Sequence, residues 1–292
     1  VARRQRPPLS KPREAWAAQR AGHLFRGSPL SPSAATRDKY SARLEKLVEL
    51  MATVTQRALV REYKRPIAAH AGVAMDAPSF VTAVTRLLRE LEKRFVLLFT
   101  EQAGGLTAAM MKGVSDTSAS QLGDSLKAVS GGLTLKTDMI SGTVAEVFKA
   151  SVRENVALIK SIPAKYFEQI QGDVMRSIQT GQGMTDLLPQ IEQYEGVTKR
   201  RAKLIAEDQT RKATTALNRV RMQAAGMRQF EWLHSGGGKE PRELHVEMDG
   251  KVYDLDNPPI IDERTGERGL PGQLINCRCR MVPVISFGGP KP

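Results

Sequence analysis

Apolar positions recur at helical spacing over most of the chain. Leu44, Leu47, Met51, Val54 and Ala58 follow one another at intervals of three and four, with Arg, Lys and Glu between them. That spacing predicts a helix over 37–65, ended by Pro66 and Gly72. A second helix is expected after Asp76, with Pro78 in its first turn and a stripe of Val84, Leu88, Leu91, Phe95 and Leu98. A short loop between them makes 37–102 an antiparallel helical hairpin, packed as in a bundle. Residues 103–137 are rich in Gly, Ser and Thr and read as a flexible or irregular connection, with short helical pieces around Leu122 to Val129.

Helix resumes near Met139, with Val144, Val147, Phe148, Val152, Val156 and Ile159 on one face. Pro163 is expected to start another helix, with Tyr166, Phe167, Ile170, Val174 and Ile178 inward and Gly181 and Gly183 as its stop. Thr185 then caps a short helix carrying Leu187, Leu188 and Ile191. The last long helix is expected from Thr198 to Gly226, with a narrow stripe of Ala202, Ile205, Ala213, Ala216, Val220 and Ala224. Residues 138–228 thus form a second helical region.

After Gln229 the pattern changes. Pro, Gly and Asp become frequent, and short strand-like runs appear at Lys251 to Asp254, Leu274 to Cys277 and Arg280 to Ile285. Residues 229–287 read as a small, loop-rich β module and 288–292 as a tail. At the other end, Pro7, Pro8, Pro12, Pro29 and Pro32 with scattered Arg make 1–36 a basic extended arm, in which Trp16 and Phe25 are candidate anchors. The fold class is therefore α+β: a mainly helical N-terminal and central region, with a β module at the C-terminal end.

Composition sharpens this. The chain has 292 residues, with 41% hydrophobic but only 5% aromatic, which favours helices packed through aliphatic and small side chains. No apolar run approaches the roughly 20 residues that span a bilayer. The N-terminal stretch has no apolar core of a secretory signal, and two cysteines make no disulfide framework, so a reducing compartment is expected. The net charge of +13 favours a polyanionic partner. It is concentrated in two segments. The first holds Arg3, Arg4 and Arg6 among nine cations of 1–40. The second holds Lys199, Arg200, Arg201, Lys203, Arg211, Lys212, Arg219, Arg221 and Arg228, against only Glu207 and Asp208. That imbalance is too large for pairing along one helix, so these residues, Arg228 apart, are candidate contacts for phosphates or for an acidic partner surface.

The rarer, chemically capable residues converge in the β module. Both cysteines lie in Asn276-Cys277-Arg278-Cys279. A module of this size has little apolar surface to bury and often needs a staple. A Cys277–Cys279 disulfide would close a strained ring. Two readings stand. In one, the two thiolates, on one face of a strand, join His245 and His234 around zinc, with Asp249 or water as further donors. In the other, the cysteines pack as small apolar residues. A Cys–His nucleophile has the residue types but no required spacing. A His-Asn-His nuclease needs a metal-bearing helix after the motif, and the 13 residues beyond Cys279 hold no His or acid. Gly236-Gly237-Gly238 lacks the Lys-Ser/Thr of a phosphate loop. Asp249-Gly250 is a hairpin signal, and Arg242 is a candidate clamp for a carboxylate in the turns.

The order Trp232, Arg242-x-x-His245, Asp249-Gly250, Pro271-Gly272, Asn276-Cys277-Arg278-Cys279 and Pro283 resembles the phage head morphogenesis domain of Mu F-like minor head proteins. Asn155 to Ile162, the helix to Gly181-Gln182-Gly183, and Arg201 to Ala206 with Ala213 are similar to that family's helical lead-in, so the resemblance covers roughly 150–287. Two segments depart from it: Ser235 to Pro241, where the family often has an Asp, and Glu207-Asp208-Gln209 in place of an Arg-Thr-Glu. The resemblance implies a non-enzymatic minor component of a tailed-phage head. Its implied partners are the portal protein, the major capsid protein and phage double-stranded DNA. Its implied place is the virion, at the portal vertex or inner capsid wall, in multiple copies, after assembly in the host cytoplasm.

Overall fold

Four long helices carry most of the chain in a computed structural model, which describes residues 24–64, 80–129, 142–237 and 240–286. They are α1 (Ala34–Tyr63), α2 (Phe80–Val129), α3 (Gly142–Thr180) and α4 (Met184–Ala224). A one-turn helix, α5 (Glu243–Glu247), and six short strands complete the described elements: β1 (Leu24–Arg26), β2 (Gln229–Leu233), β3 (Val252–Asp254), β4 (Ile260–Asp262), β5 (Glu267–Arg268) and β6 (Arg280–Ser286). None of the described helices is long and apolar enough to cross a membrane. The α+β class expected from the pattern is the class observed.

The helices are longer than expected, and each extension has a cause. Ser33 caps α1, its hydroxyl accepting from the Thr36 N–H at 3.2 Å, so the helix starts ahead of 37. The segment 103–129 is continuous helix, not an irregular connection. Its buried stripe of Ala103, Leu106, Met110, Val114, Leu122 and Leu126 keeps the helical period. Gly104 and Gly105 lie on the exposed side, where glycine costs about 1 kcal/mol each, less than the stripe gains by burial. Pro163 lies inside α3 rather than at a helix start, between the buried Ile162 and Tyr166. The expected short helix after Thr185 and the helix from Thr198 are one element, α4, with Pro189 near its N-terminal end. Gly183 caps it: its N–H donates to Asp186 Oδ2 at 3.2 Å, and its carbonyl accepts from the Asp186 N–H. Gly226 ends α4 as expected, at φ 82°, while the Met227 N–H returns to the Met222 carbonyl.

The chain divides into two compact units. The helical unit draws on Pro32–Ser115 and Ala145–Ala213. Tyr63 meets Phe80 edge to face at 5.0 Å, so the end of α1 and the start of α2 adjoin. Phe95 stacks on Phe167 at 6.2 Å in the core. Tyr40 and Tyr166 are buried among these helices. Burial raises the pKa of Tyr40 from 10.0 to about 12 and raises that of Tyr166 as well. Both folded-state shifts are upward, so their stabilising effect is complete below pH 10 and is lost as pH rises toward 12. Tyr40 alone contributes about 2–3 kcal/mol of this. Helical circular dichroism is expected to collapse together with the rise of phenolate absorbance. Phenolate formation with intact helix signal would contradict it.

The second unit draws on Val1–Ser31, Asp116–Val144 and Thr214–Pro292. Its four-stranded antiparallel sheet has the order β1-β6-β2-β3, and β4 and β5 form a separate hairpin. In β2 the alternation is clean: Phe230 and Trp232 point inward, while Gln229, Glu231 and Leu233 are partly exposed. Strand β1 falls within the expected arm. Leu24–Arg26 pairs with β6, and Leu30 is 2% exposed in the core of this unit. The expected strand at Leu274 to Cys277 is a turn instead, with Asn276 at φ 61° and the Cys277 N–H donating to the Leu274 carbonyl at 3.0 Å. The core comprises Leu122 and Leu126 of α2, Met222 of α4, and Met227, Phe230, Trp232, Met248, Ile261 and Met281 from the module, with both cysteines among them.

Candidate functional site: a buried His-Cys-Cys cluster

Three segments place the site. Pro241 and Arg242 precede α5, and this single turn carries His245, which is 2% exposed. The Pro271-Gly272 turn is tied to α4 by the Thr215 hydroxyl, which donates to the Pro271 carbonyl at 2.7 Å. The left-handed Asn276 then redirects the chain so that Cys277 and Cys279, both buried, face His245 just before β6 begins. Neither cysteine is in a strand; the turn, not a pleat, brings the two sulfurs together.

The imidazole is oriented on both sides. His245 Nε2 lies 3.1 Å from the Ile261 carbonyl, which can only accept, so Nε2 carries the proton. Nδ1 therefore presents its lone pair, 3.5 Å from Cys277 Sγ and 3.8 Å from Cys279 Sγ. Trp232 packs its edge on the ring with centroids 5.0 Å apart. The Gly272 N–H donates to Cys277 Sγ at 3.3 Å. The two thiols share their proton unequally. Cys277 is held well below the ordinary thiol range by its hydrogen bond with Cys279, against the cost of burial, and then by the N–H groups of Cys279 and Gly272. Cys279 moves upward, through its bond to Cys277, through burial and through repulsion by the Cys277 charge. The Trp232 indole and the Ser235 N–H pull the other way; the buried indole N–H makes no hydrogen bond of ordinary geometry. The cluster offers a thiolate at Cys277, a thiol at Cys279 that must give up its proton to act as a second sulfur donor, and an imidazole lone pair to a soft cation.

A cleft of about 230 Å³ opens over the three residues. His234, Glu240, Arg242, Asn276 and Arg278 are in its wall. The sequence reading grouped His234 with the cluster. It stands outside the set of His245, Cys277 and Cys279, whose ligand atoms lie within 4.8 Å of one another. Its Nδ1 accepts from the Gly236 N–H at 3.2 Å, and the His234 backbone N–H donates to Asp249 Oδ1 at 2.7 Å, which engages that carboxylate too. Arg242 clamps the Ile275 carbonyl at 3.0 Å rather than a carboxylate. Ile261 was not legible as a site residue, because its backbone, not its side chain, does the orienting.

The candidate basic contacts fall into three groups. Arg3, Arg4 and Arg6 lie outside the described residues. Most of those on α4 are engaged: Lys199 with Glu195 at 2.7 Å and Glu49 at 3.8 Å, Arg211 with Glu207 at 3.3 Å, and Lys212 with Asp208 at 3.0 Å and Glu154 at 3.8 Å. Arg201 donates to the Ser161 hydroxyl at 2.9 Å. Arg219 is partly buried, and Arg221 is 4% exposed with Asp116 as a charge partner. Arg200 and Lys203 are exposed. The charge imbalance counted along α4 left out the carboxylates that other helices supply.

Long helices of mixed charge, joined to a small sheet module built over a His-Cys-Cys cluster, define the class: an α+β protein with a Cys/His-centred C-terminal module. Residues 168–282 are similar to the family described as Phage Mu protein F like protein, inside the 150–287 span read from the motifs. An "Uncharacterized protein" of Haemophilus influenzae (strain ATCC 51907 / DSM 11121 / KW20 / Rd) is 28% identical over 260 residues, covering 88% of this chain and 55% of that one. The "Uncharacterized protein YqbB" of Bacillus subtilis (strain 168) is 24% identical over 127 residues, 40% of this chain and 42% of its own. The chain thus spans about half the length of the curated relatives it matches. No solved structure matches it significantly.

Proposed function

We propose that this protein is a minor head protein of a tailed phage. In this reading it docks on the portal vertex or the inner capsid wall during head assembly, in several copies. The carrying observation is the match of residues 168–282 to the Phage Mu protein F like family. The reading is non-enzymatic, with the buried His245, Cys277 and Cys279 as a staple of the C-terminal module. Quantifying the protein in purified procapsids and mature virions of the phage that encodes it decides the matter. Several copies per head are expected; absence from both particles would sink the proposal.

Contact with packaged DNA is the finer part of the proposal. Arg200 and Lys203 are exposed on α4 and able to reach phosphates. Duplex affinity of the full chain should fall steeply with salt, because cations that bind phosphates release counterions. Arg200→Glu with Lys203→Glu should weaken binding roughly tenfold and reduce the salt slope by about two. Unchanged affinity and slope would remove these two residues from the contact.

A further inference from the structure

We propose that His245 Nδ1, Cys277 Sγ and Cys279 Sγ bind one zinc ion, with its fourth coordination position facing the cleft. The inference is independent of the head-assembly reading. Tetrahedral zinc has Zn–S of about 2.3 Å and Zn–N of about 2.0–2.1 Å, which sets ligand N and S about 3.6 Å apart and two sulfurs about 3.8 Å apart. The observed Nδ1–Sγ distances are 3.5 and 3.8 Å, and all three donor atoms lie within 4.8 Å of one another. Two edges of a zinc tetrahedron are therefore in place, and the sulfur–sulfur edge lies within 4.8 Å.

The surroundings favour a metal over packed thiols. An Nε2–H held by a backbone carbonyl is the arrangement that fixes a metal-binding imidazole and frees Nδ1 as donor. The Gly272 N–H pointing at Cys277 Sγ favours sulfur that carries negative charge. Two thiolates and a neutral imidazole cancel the charge of a divalent ion, so the filled site buries no net charge. Thiols packed as apolar residues need neither the fixed tautomer nor the aimed N–H. Thiolate and imidazole together select a borderline-soft ion and discriminate against magnesium and calcium, which take oxygen. The fourth donor is water from the cleft.

The test uses the full chain, expressed with added zinc and purified without chelator. Elemental analysis should find about one zinc per chain, and both thiols should resist alkylation until a strong chelator is added. Exchange into cobalt should give the intense visible and near-ultraviolet bands of tetrahedral thiolate coordination. His245→Ala should retain helical circular dichroism and lose most of the metal. Because a Cys277→Ser, Cys279→Ser protein is liable to misfold, the decision rests on the unaltered chain. A folded chain holding less than roughly a tenth of an equivalent of zinc, with thiols that react at once, would overturn the proposal. So would zinc retained undiminished by His245→Ala.

Discussion

Trp232→Ala is expected to unfold the C-terminal module or leave it marginal. The side chain is wholly buried in β2, where its backbone pairs with Met281 of β6. Its ring meets His245 at 5.0 Å and Tyr253 at 6.5 Å, both edge to face. Truncating a buried tryptophan costs about 3–5 kcal/mol, because the lost transfer energy is joined by a cavity that neighbours fill only partly. Whole domains are stable by about 5–15 kcal/mol, so one substitution removes a large share. The cavity would open beside the imidazole, and that links the fold to the site: His245 would keep its bond to the Ile261 carbonyl but lose the wall that stops the ring from tilting. Trp232→Phe, which keeps an aromatic edge, should cost less than half as much. Urea unfolding followed by amide exchange in β2, β3 and β6 measures both. A loss under about 1 kcal/mol for Trp232→Ala would mean that the sheet is not held through this residue.

The contrast between what the sequence disclosed and what it hid follows from where the information lies. Stripes such as Leu44, Met51 and Leu88, Leu91, Phe95 are written in one helix's own period, so α1 and the first half of α2 were legible. So was the stop at Gly226, because a left-handed residue after a helix is a local demand. The convergence of His245 with Cys277 and Cys279 was legible as chemistry, but its geometry was not: a strand was expected at Leu274 to Cys277, and a turn through Asn276 does the work. The continuity of α2 past Gly104 and Gly105 depends on what Ala103, Leu106 and Met110 pack against, and propensity alone argues the other way. Strand β1 was hidden for the same reason. Three residues of a Pro-rich arm become a strand only because β6 offers an edge. The cations of α4 show the limit most plainly, since Glu49, Glu154 and Asp116 are remote in sequence from the residues they neutralise.

The second large effect is expected in the helical unit, at Asn155. This residue is wholly buried, and its amide joins three helices of that unit. Oδ1 accepts from the Tyr40 hydroxyl at 3.0 Å, and Nδ2 donates to the Ser151 carbonyl at 2.8 Å and to Gln209 Oε1 at 2.9 Å. The carbonyl of Ser151 can only accept, which fixes the amide's orientation. Gln209 must then turn its own nitrogen outward, and it donates to Glu154 at 3.0 Å. Every donor in the chain from Tyr40 to Glu154 points the same way, so each bond polarises the next. Asn155→Ala would leave the Tyr40 hydroxyl and the Gln209 oxygen buried without this partner, at about 1–3 kcal/mol each. A total loss of about 3–4 kcal/mol is expected, large for the loss of one amide. Tyr40→Phe removes one end of the chain without leaving a hydroxyl to satisfy, and should cost only about 1 kcal/mol. In the double-mutant cycle the two should couple by about 1–2 kcal/mol, because Asn155→Ala no longer strands a hydroxyl once Tyr40 is Phe. Strict additivity in urea-unfolding free energies would show that the two side chains do not act as one network.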